Sequence, residues 1–271
     1  MTSALLLALL AAPDGGALLS GRFKIDAGHG EAKNKERRAE YWGHVRAVRN
    51  STLLTCDRLV EHYSASGDPE RIIATGNVVA VDGERQAWGD DADYDYRTGV
   101  LVVHGHPRGR QGQREVTGET VTFTSGTDEM LVTKAHTVSP GDRGSATVVI
   151  DADTLMLIQS KASATWKGHV RATRGPTVMT SKELDATWDQ SGAITRMLAR
   201  GGVEAVEPTR WAKGERADFD ALKGVLVVTG RPEAHQGKNH MKGTRVTFFP
   251  DPELVHVENV ETIIEQEPKR K

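Results

Sequence analysis

The densest group of potential ligands in this chain is Asp90-Asp91-Ala92-Asp93-Tyr94-Asp95. Asp91, Asp93 and Asp95 have the one-three-five spacing of a calcium loop, in which alternate carboxylates converge on one ion. The rest of such a loop is missing. Tyr96 stands where glycine makes the sharp turn, and Val102 where a bidentate Glu closes the site. Alternation with Tyr94 and Tyr96 assigns these carboxylates to the outer face of a strand instead. His104-Gly105-His106 offers two imidazoles, but a zinc site wants further ligands from elsewhere. Gly105, Gly109 and Gly112 are separated by Pro and Arg with no helix start behind them, so they do not form a phosphate loop. Ser, His and Asp are plentiful but scattered. No nucleophile elbow, paired-cysteine motif or His-Glu-x-x-His occurs, so no catalytic residue, metal site or cofactor is expected. The single cysteine, Cys56, permits no intrachain disulfide and reads as a small, half-buried side chain.

More informative are residue sets that occur twice. Gly43-His44-Val45-Arg46-Ala47 returns 125 positions later as Gly168-His169-Val170-Arg171-Ala172, and Gly99-Val100-Leu101-Val102-Val103 returns as Gly224-Val225-Leu226-Val227-Val228. At this one shift about 36 of the 81 positions from 43 to 123 are identical, with no gap. A residue kept in both copies is tied to the shared fold or a shared task. His104 and His106 fail that test, since Thr229 and Arg231 replace them; Cys56 fails it too, facing Ser181.

Two recurring sets pass. The first is cationic: His44, Arg46 and Arg49, matched by His169, Arg171 and Arg174. These can meet anionic groups such as phosphates, or serve as a solvated strand face. The second is apolar. Val45, Ala47, Val78, Ala80, Tyr94, Val121 and Phe123 are matched by Val170, Ala172, Val203, Ala205, Phe219, Val246 and Phe248. Such positions can be plain core, or they can line a slot between two sheets for an acyl chain.

The elements that must carry these residues read as β throughout. Apolar and polar residues alternate in short runs bounded by Gly, Asp and Asn. Val45 and Ala47 share one face and His44 and Arg46 the other; Ala217-Asp218-Phe219-Asp220-Ala221 keeps the alternation of Ala92-Asp93-Tyr94-Asp95-Tyr96. The stretch from Lys33 to Tyr41 reads as a charged strand, with a short helix as its alternative. A glycine followed by a strand recurs at Gly43, Gly76 and Gly105, and again at Gly168, Gly201 and Gly230. Units of this size cannot bury a face alone and must stack. Ser139-Pro140-Gly141-Asp142-Arg143-Gly144-Ser145 separates the copies as a turn-rich loop.

Composition agrees. Thirty-five Lys+Arg against 37 Asp+Glu leave no global field to recruit nucleic acid. Hydrophobic content of 38% with 28 glycines suits a thin, turn-rich β protein. Ala4 to Ala12 is an unbroken apolar run of the length of an export signal's core, too short to span a bilayer, though only Met1-Thr2-Ser3 precedes it. The expected organisation is a signal peptide over residues 1–20, one module over 22–138, a second over 147–262, and a charged tail over 263–271.

In order and in duplication, several short motifs resemble the OstA-like module of the LptA lipopolysaccharide-export family. In the first copy they are Ala74-Thr75-Gly76-Asn77-Val78, Ala92-Asp93-Tyr94-Asp95, Gly99-Val100-Leu101-Val102-Val103-His104-Gly105 and Gly118-Glu119-Thr120-Val121-Thr122-Phe123. The second copy carries them at Gly201-Gly202-Val203, Ala217-Asp218-Phe219-Asp220, Gly224-Val225-Leu226 and Gly243-Thr244-Arg245-Val246-Thr247-Phe248. The resemblance implies an all-β, elongated, twisted β-jellyroll or solenoid-like stack built from two tandem repeats. It implies a periplasmic location and an apolar groove for the acyl chains of lipopolysaccharide (lipid A), with phosphates near rim cations. It also implies non-enzymatic transport between inner and outer membranes, and edge-strand pairing with other OstA-like export components or with a second copy. The end strands are expected near residues 23–27 and 254–264. A structural β-solenoid scaffold with a closed, dry core is the alternative.

Overall fold

The computed structural model describes residues 24–49, 52–83, 85–140, 146–190, 193–208, 210–236, 239–249 and 255–264. The expected signal peptide, residues 141–145 of the module-separating loop and most of the tail lie outside these residues. The described chain is all β, with two 3₁₀ turns.

The two copies build the same strands in the same register. In the first, β1 (Lys24–Asp26) and β2 (His29–Lys33) are followed by β3 (Arg38–Arg49), β4 (Thr52–Tyr63), β5 (Pro69–Asp82) and β6 (Arg85–Asp95). The short strands β7 (Val100–His104), β8 (Arg108–Gln111), β9 (Arg114–Thr117) and β10 (Thr120–Thr124) come next, then β11 (Glu129–Ser139). After β12 (Val148–Ile158) the second copy runs β13 (Ser163–Arg174), β14 (Thr177–Trp188), β15 (Ile194–Glu207) and β16 (Arg210–Asp220). It continues through β17 (Val225–Thr229), β18 (Glu233–Gln236), β19 (Asn239–Lys242) and β20 (Arg245–Phe248) to β21 (Val255–Glu258) and β22 (Glu261–Ile264). The stretch expected as a charged strand over Lys33–Tyr41 is divided. Lys33 ends β2, Asn34–Glu36 forms a 3₁₀ turn closed by Arg37 in the left-handed region, and β3 begins at Arg38.

Two compact units result. The N-terminal unit gathers the first-copy strands together with Thr154–Lys161, and the C-terminal unit holds Pro140–Asp153 and the second-copy strands. Thr154–Lys161 is tied into the N-terminal unit at Asp128, whose carboxylate accepts the Ser160 N–H at 2.8 Å. This places the second half of β12 with the first module rather than with the second.

Within each unit the long strands are bent, and the bends fall on the recurring glycines. The sequence pattern predicts a strand start after each of Gly43, Gly76, Gly168 and Gly201; instead they interrupt β3, β5, β13 and β15 in mid-course. Each has positive φ and is followed by a second positive-φ residue: His44, Asn77, His169 and Gly202. The pairing register shifts at each, for example between Trp42 and Val45 opposite β4 and between Lys167 and Val170 opposite β14. These are β-bulges, which bend a strand sharply. Gly105-His106-Pro107 goes further and breaks one strand into β7 and β8, both paired with β6. The bulges line up into a seam. On one side of it the first-copy strands form a half-sheet through β2, β3, β4, β5, β6, β7, β10 and β11. On the other side the remaining halves pair with β1, β8 and β9. The two half-sheets fold toward each other along the seam, and hairpin turns edge the opposite margin.

Candidate functional site

The interior of each unit is set by strand alternation. In the N-terminal unit one cross-strand row runs Leu59, Ala74, Ala92, Val103, Val121 and Val132. The next runs Ile72, Tyr94, Leu101, Phe123 and Met130. All five residues of that second row are buried. The facing half-sheet presents small residues along Ala47, Leu54, Ala80, Ala87, Gly109 and Val116. Large side chains against small ones is the pattern that lets two layers interdigitate. Between them lies a cavity of about 60 Å³, bordered by Leu59, Ala74 and Val103 on one side and Leu54, Val78 and Val116 on the other. That is about two water volumes, well below the roughly 300 Å³ at which ligand pockets begin. As it stands the interior is nearly filled.

The C-terminal unit repeats the rows but closes them less completely. Its second row is Met197, Phe219, Leu226, Phe248 and Val255. All five are only half-buried. Ile194, Leu222 and Phe249 are exposed. The N-terminal unit also holds Leu155 and Leu157 of β12, both buried.

The apolar residues singled out in the sequence therefore take these places. Val45, Ala47, Val78, Tyr94, Val121, Phe123, Val170, Ala172, Val203 and Val246 are buried, and Ala80, Ala205, Phe219 and Phe248 are half-buried. All lie on the interior phase of their strands. Sequence reasoning missed Leu59, Ile72, Leu101, Met130 and Val132, which complete the same rows. Their signal was present in the strict alternation of Glu129–Val132 and Leu101–Val103.

The cationic set is not brought together. His44 and His169 stand on the seam at φ 58 and 46, and Arg46 and Arg171 are exposed on the outer face. Only Arg49 and Arg174 fall at strand ends by the free margin, and of these the described side chain is that of exposed Arg174. His169 instead makes a local clasp: its Nδ1 lies 2.7 Å from Asp153 Oδ2. The same clasp recurs along the seam. Asn77 donates to Asp57 at 2.8 Å, His106 Nδ1 lies 3.5 Å from Asp90, and Arg231 donates to Glu215 at 3.2 Å. The Asp90 and Glu215 N–H groups also donate to the Gly105 and Gly230 carbonyls at 3.0 and 3.1 Å. A Cβ on Gly76, Gly105, Gly168 or Gly230 would strike the clasping acidic side chain.

The acidic run separates into different tasks. Asp93 takes the guanidinium of Arg71, and the equivalent Asp218 takes that of Arg196 at 2.8 Å through Nε. Asp95 accepts the Thr98 N–H and Asp220 those of Leu222 and Lys223, each closing a hairpin turn. Those turn hydrogen bonds hold both carboxyls below their usual range. Cys56 is buried, and burial pushes its thiol up to about 11, with Asp57 adding to the effect.

The family model of the LptA/(LptD N-terminal domain) LPS transport protein matches residues 24–129 and, separately, residues 149–253. A similar solved structure is that of LptH, the LptA-homologous periplasmic component of the lipopolysaccharide transport device of Pseudomonas aeruginosa. It is 16% identical, with a TM-score of 0.42 over 47% of this chain and 100% of that one. No curated protein matches.

Proposed function

Because this chain belongs to the LptA/LptD N-terminal family of lipopolysaccharide transport proteins, we propose that it is a periplasmic, non-enzymatic carrier bridging inner and outer membranes, holding lipopolysaccharide acyl chains between its facing half-sheets. The observation that carries this reading is the family match on both copies, in the register that duplicates the strands. The interior supports it by chemistry: the two inward rows running from Leu59 to Val132 and from Ile72 to Met130 are apolar, and burying hydrocarbon there yields about 0.8 kcal/mol per CH₂. With a cavity of about 60 Å³ in the N-terminal unit, acyl chains enter that unit only when its half-sheets part along the free margin, away from the seam. The phosphates would then meet the margin, where Arg49 and Arg174 end their strands.

End-to-end pairing with other components of the same fold, or with a second copy, is supported at the edges. His29–Ala32 of β2 are exposed throughout, and among the described residues of its unit β2 pairs with β3 alone. Unpaired strand edges are templates for another chain's strand.

The test is photo-crosslinking of the purified protein to lipopolysaccharide. A photoreactive residue is placed at Val78, Val121, Phe219 or Phe248, with Arg46 and Thr180 as outward controls. Adducts confined to the inward set are expected. The small cavity favours a second reading, a closed scaffold whose business is assembly. Absence of adducts from every position of a folded protein would establish that reading instead.

A further inference from the structure

The chain has four tyrosines, and all four gather at one place in the N-terminal unit. Tyr41 pairs with Leu59 on the inward phase of β3, and Tyr63 follows Leu59 and Glu61 on the inward phase of β4. Tyr94 ends the inward row of β6, and Tyr96 stands just beyond it with its ring edge-on to Tyr94 at 4.9 Å. Glu61 lies at the centre, opposite Ile72 in register, and accepts a hydrogen bond from the Tyr63 hydroxyl at 2.5 Å. Tyr41 and Tyr96 are close enough to act electrostatically on Tyr63, whose hydroxyl is held above its ordinary value by burial and then by Glu61. Tyr94 is buried, and the other four residues are half-buried.

This group occupies the free margin, where the apolar interior meets water. The second copy keeps three of the four aromatics without the phenolic hydroxyls: Trp166, Trp188 and Phe219 stand for Tyr41, Tyr63 and Tyr94, while Ala221 stands for Tyr96 and Ala186 for Glu61. A core needs no such difference, because an inward carboxylate costs free energy unless it is hydrogen-bonded. Aromatic faces beside a carboxylate and phenolic hydroxyls are matched to a polyhydroxyl ligand, whose ring C–H groups stack on the aromatics and whose hydroxyls donate to the carboxylate. The same carboxylate repels phosphate.

Building on the carrier reading, we propose that Glu61 with Tyr41, Tyr63, Tyr94 and Tyr96 forms a sugar-recognition subsite. It would seat the hydroxylated, non-phosphorylated part of a glycolipid headgroup while the acyl chains occupy the interior.

The experiment measures binding of lipopolysaccharide, enzymatically dephosphorylated lipopolysaccharide and free myristate to the full chain, to Glu61→Gln and to Tyr63→Phe. Thermal melts check that each variant is folded. Both variants are expected to bind both lipopolysaccharides about tenfold more weakly, the size of effect that a hydrogen bond to a charged group carries, with myristate affinity unchanged. Tyr63→Phe alone carries the test if Glu61→Gln fails to fold. Unchanged or tighter lipopolysaccharide binding in the variants, with the full chain binding well, overturns the subsite and leaves the carrier reading standing; tighter binding would mean that the cluster plugs the margin. An equal loss of myristate binding overturns it as well. A full chain that binds neither lipopolysaccharide nor myristate overturns the carrier reading itself and the subsite with it.

Discussion

At the scale of single residues, the glycines of the seam are constrained both by backbone and by neighbours. Gly105 has φ +71, and its missing Cβ is the space taken by the Asp90 side chain. Gly112 has φ +58 with nothing within 4 Å. Alanine at either site meets the left-handed penalty of about 1 kcal/mol. Only at Gly105 must it also displace a packed neighbour, which adds about 1–3 kcal/mol. Gly105→Ala is therefore expected to lose clearly more stability than Gly112→Ala in urea titration, and equal losses would remove the steric account of the seam. Asp90→Ala in the Gly105→Ala background is expected to restore part of the difference. In the sequence these glycines were visible as a period but not as bulges. A Gly-His or Gly-Asn pair inside an alternating run looks like a strand start, because the left-handed turn that keeps the chain paired on both sides is packed against another segment: Asp57 at Gly76, Asp153 at Gly168, but Gly28 and His29 at Gly43.

At the scale of strands, alternation grouped the apolar residues that share a face, because the strands follow a period of two, but left open which face is inward. What it could not tell was how well each row is covered, since cover comes from strands distant in sequence. Phe123 and Phe248 are repeat partners, each with a leucine on one side in register and Met130 or Val255 respectively on the other, yet Phe123 is 1% exposed and Phe248 is half-buried. Phe123→Ala is expected to cost about 3–5 kcal/mol, and Phe248→Ala about half of that. Equilibrium unfolding of the two variants checks this, and equal costs would mean that the second row closes in solution. The outward faces make a separate prediction. Hydrogen bonds from Arg200, Arg210 and Arg196 hold the carboxyls of Glu183, Glu207 and Asp218, respectively, below their ordinary range. Their folded-state values lie below the unfolded ones, so the unfolded chain binds more protons as pH falls. The stability they contribute is fully present above about pH 5 and is lost as pH drops through and below the ordinary carboxylate range near 4. Melting temperature is expected to be flat from pH 7 to 5 and to fall below it, with the fall blunted by high salt because these pairs are solvent-facing. A fall that begins above pH 6 would point to histidines instead.

At the scale of the whole molecule, the balance is between an interior that is nearly filled in the N-terminal unit and a task that needs space. The seam supplies the reason both can hold. β3, β5, β13 and β15 each cross it at a positive-φ glycine bulge, so the half-sheets meet along a line of bends, while the opposite margin is edged by turns. Opening there exposes apolar rows, and a bound chain that covers them again offsets the cost. Each added methylene should then contribute about 0.8 kcal/mol, or roughly fourfold in affinity. A series of saturated fatty acids is expected to bind with that increment until the chain outgrows one unit, and to raise the melting temperature in proportion to occupancy. The C-terminal unit, with its five half-buried row residues, should bind first, so that Phe219→Asp weakens the short members of the series more than Tyr94→Phe does. Calorimetric titration across the series decides between the two readings of the interior. A steady increment requires hydrocarbon to be buried where the rows now meet, whereas affinity independent of chain length leaves the half-sheets closed and the apolar rows as core.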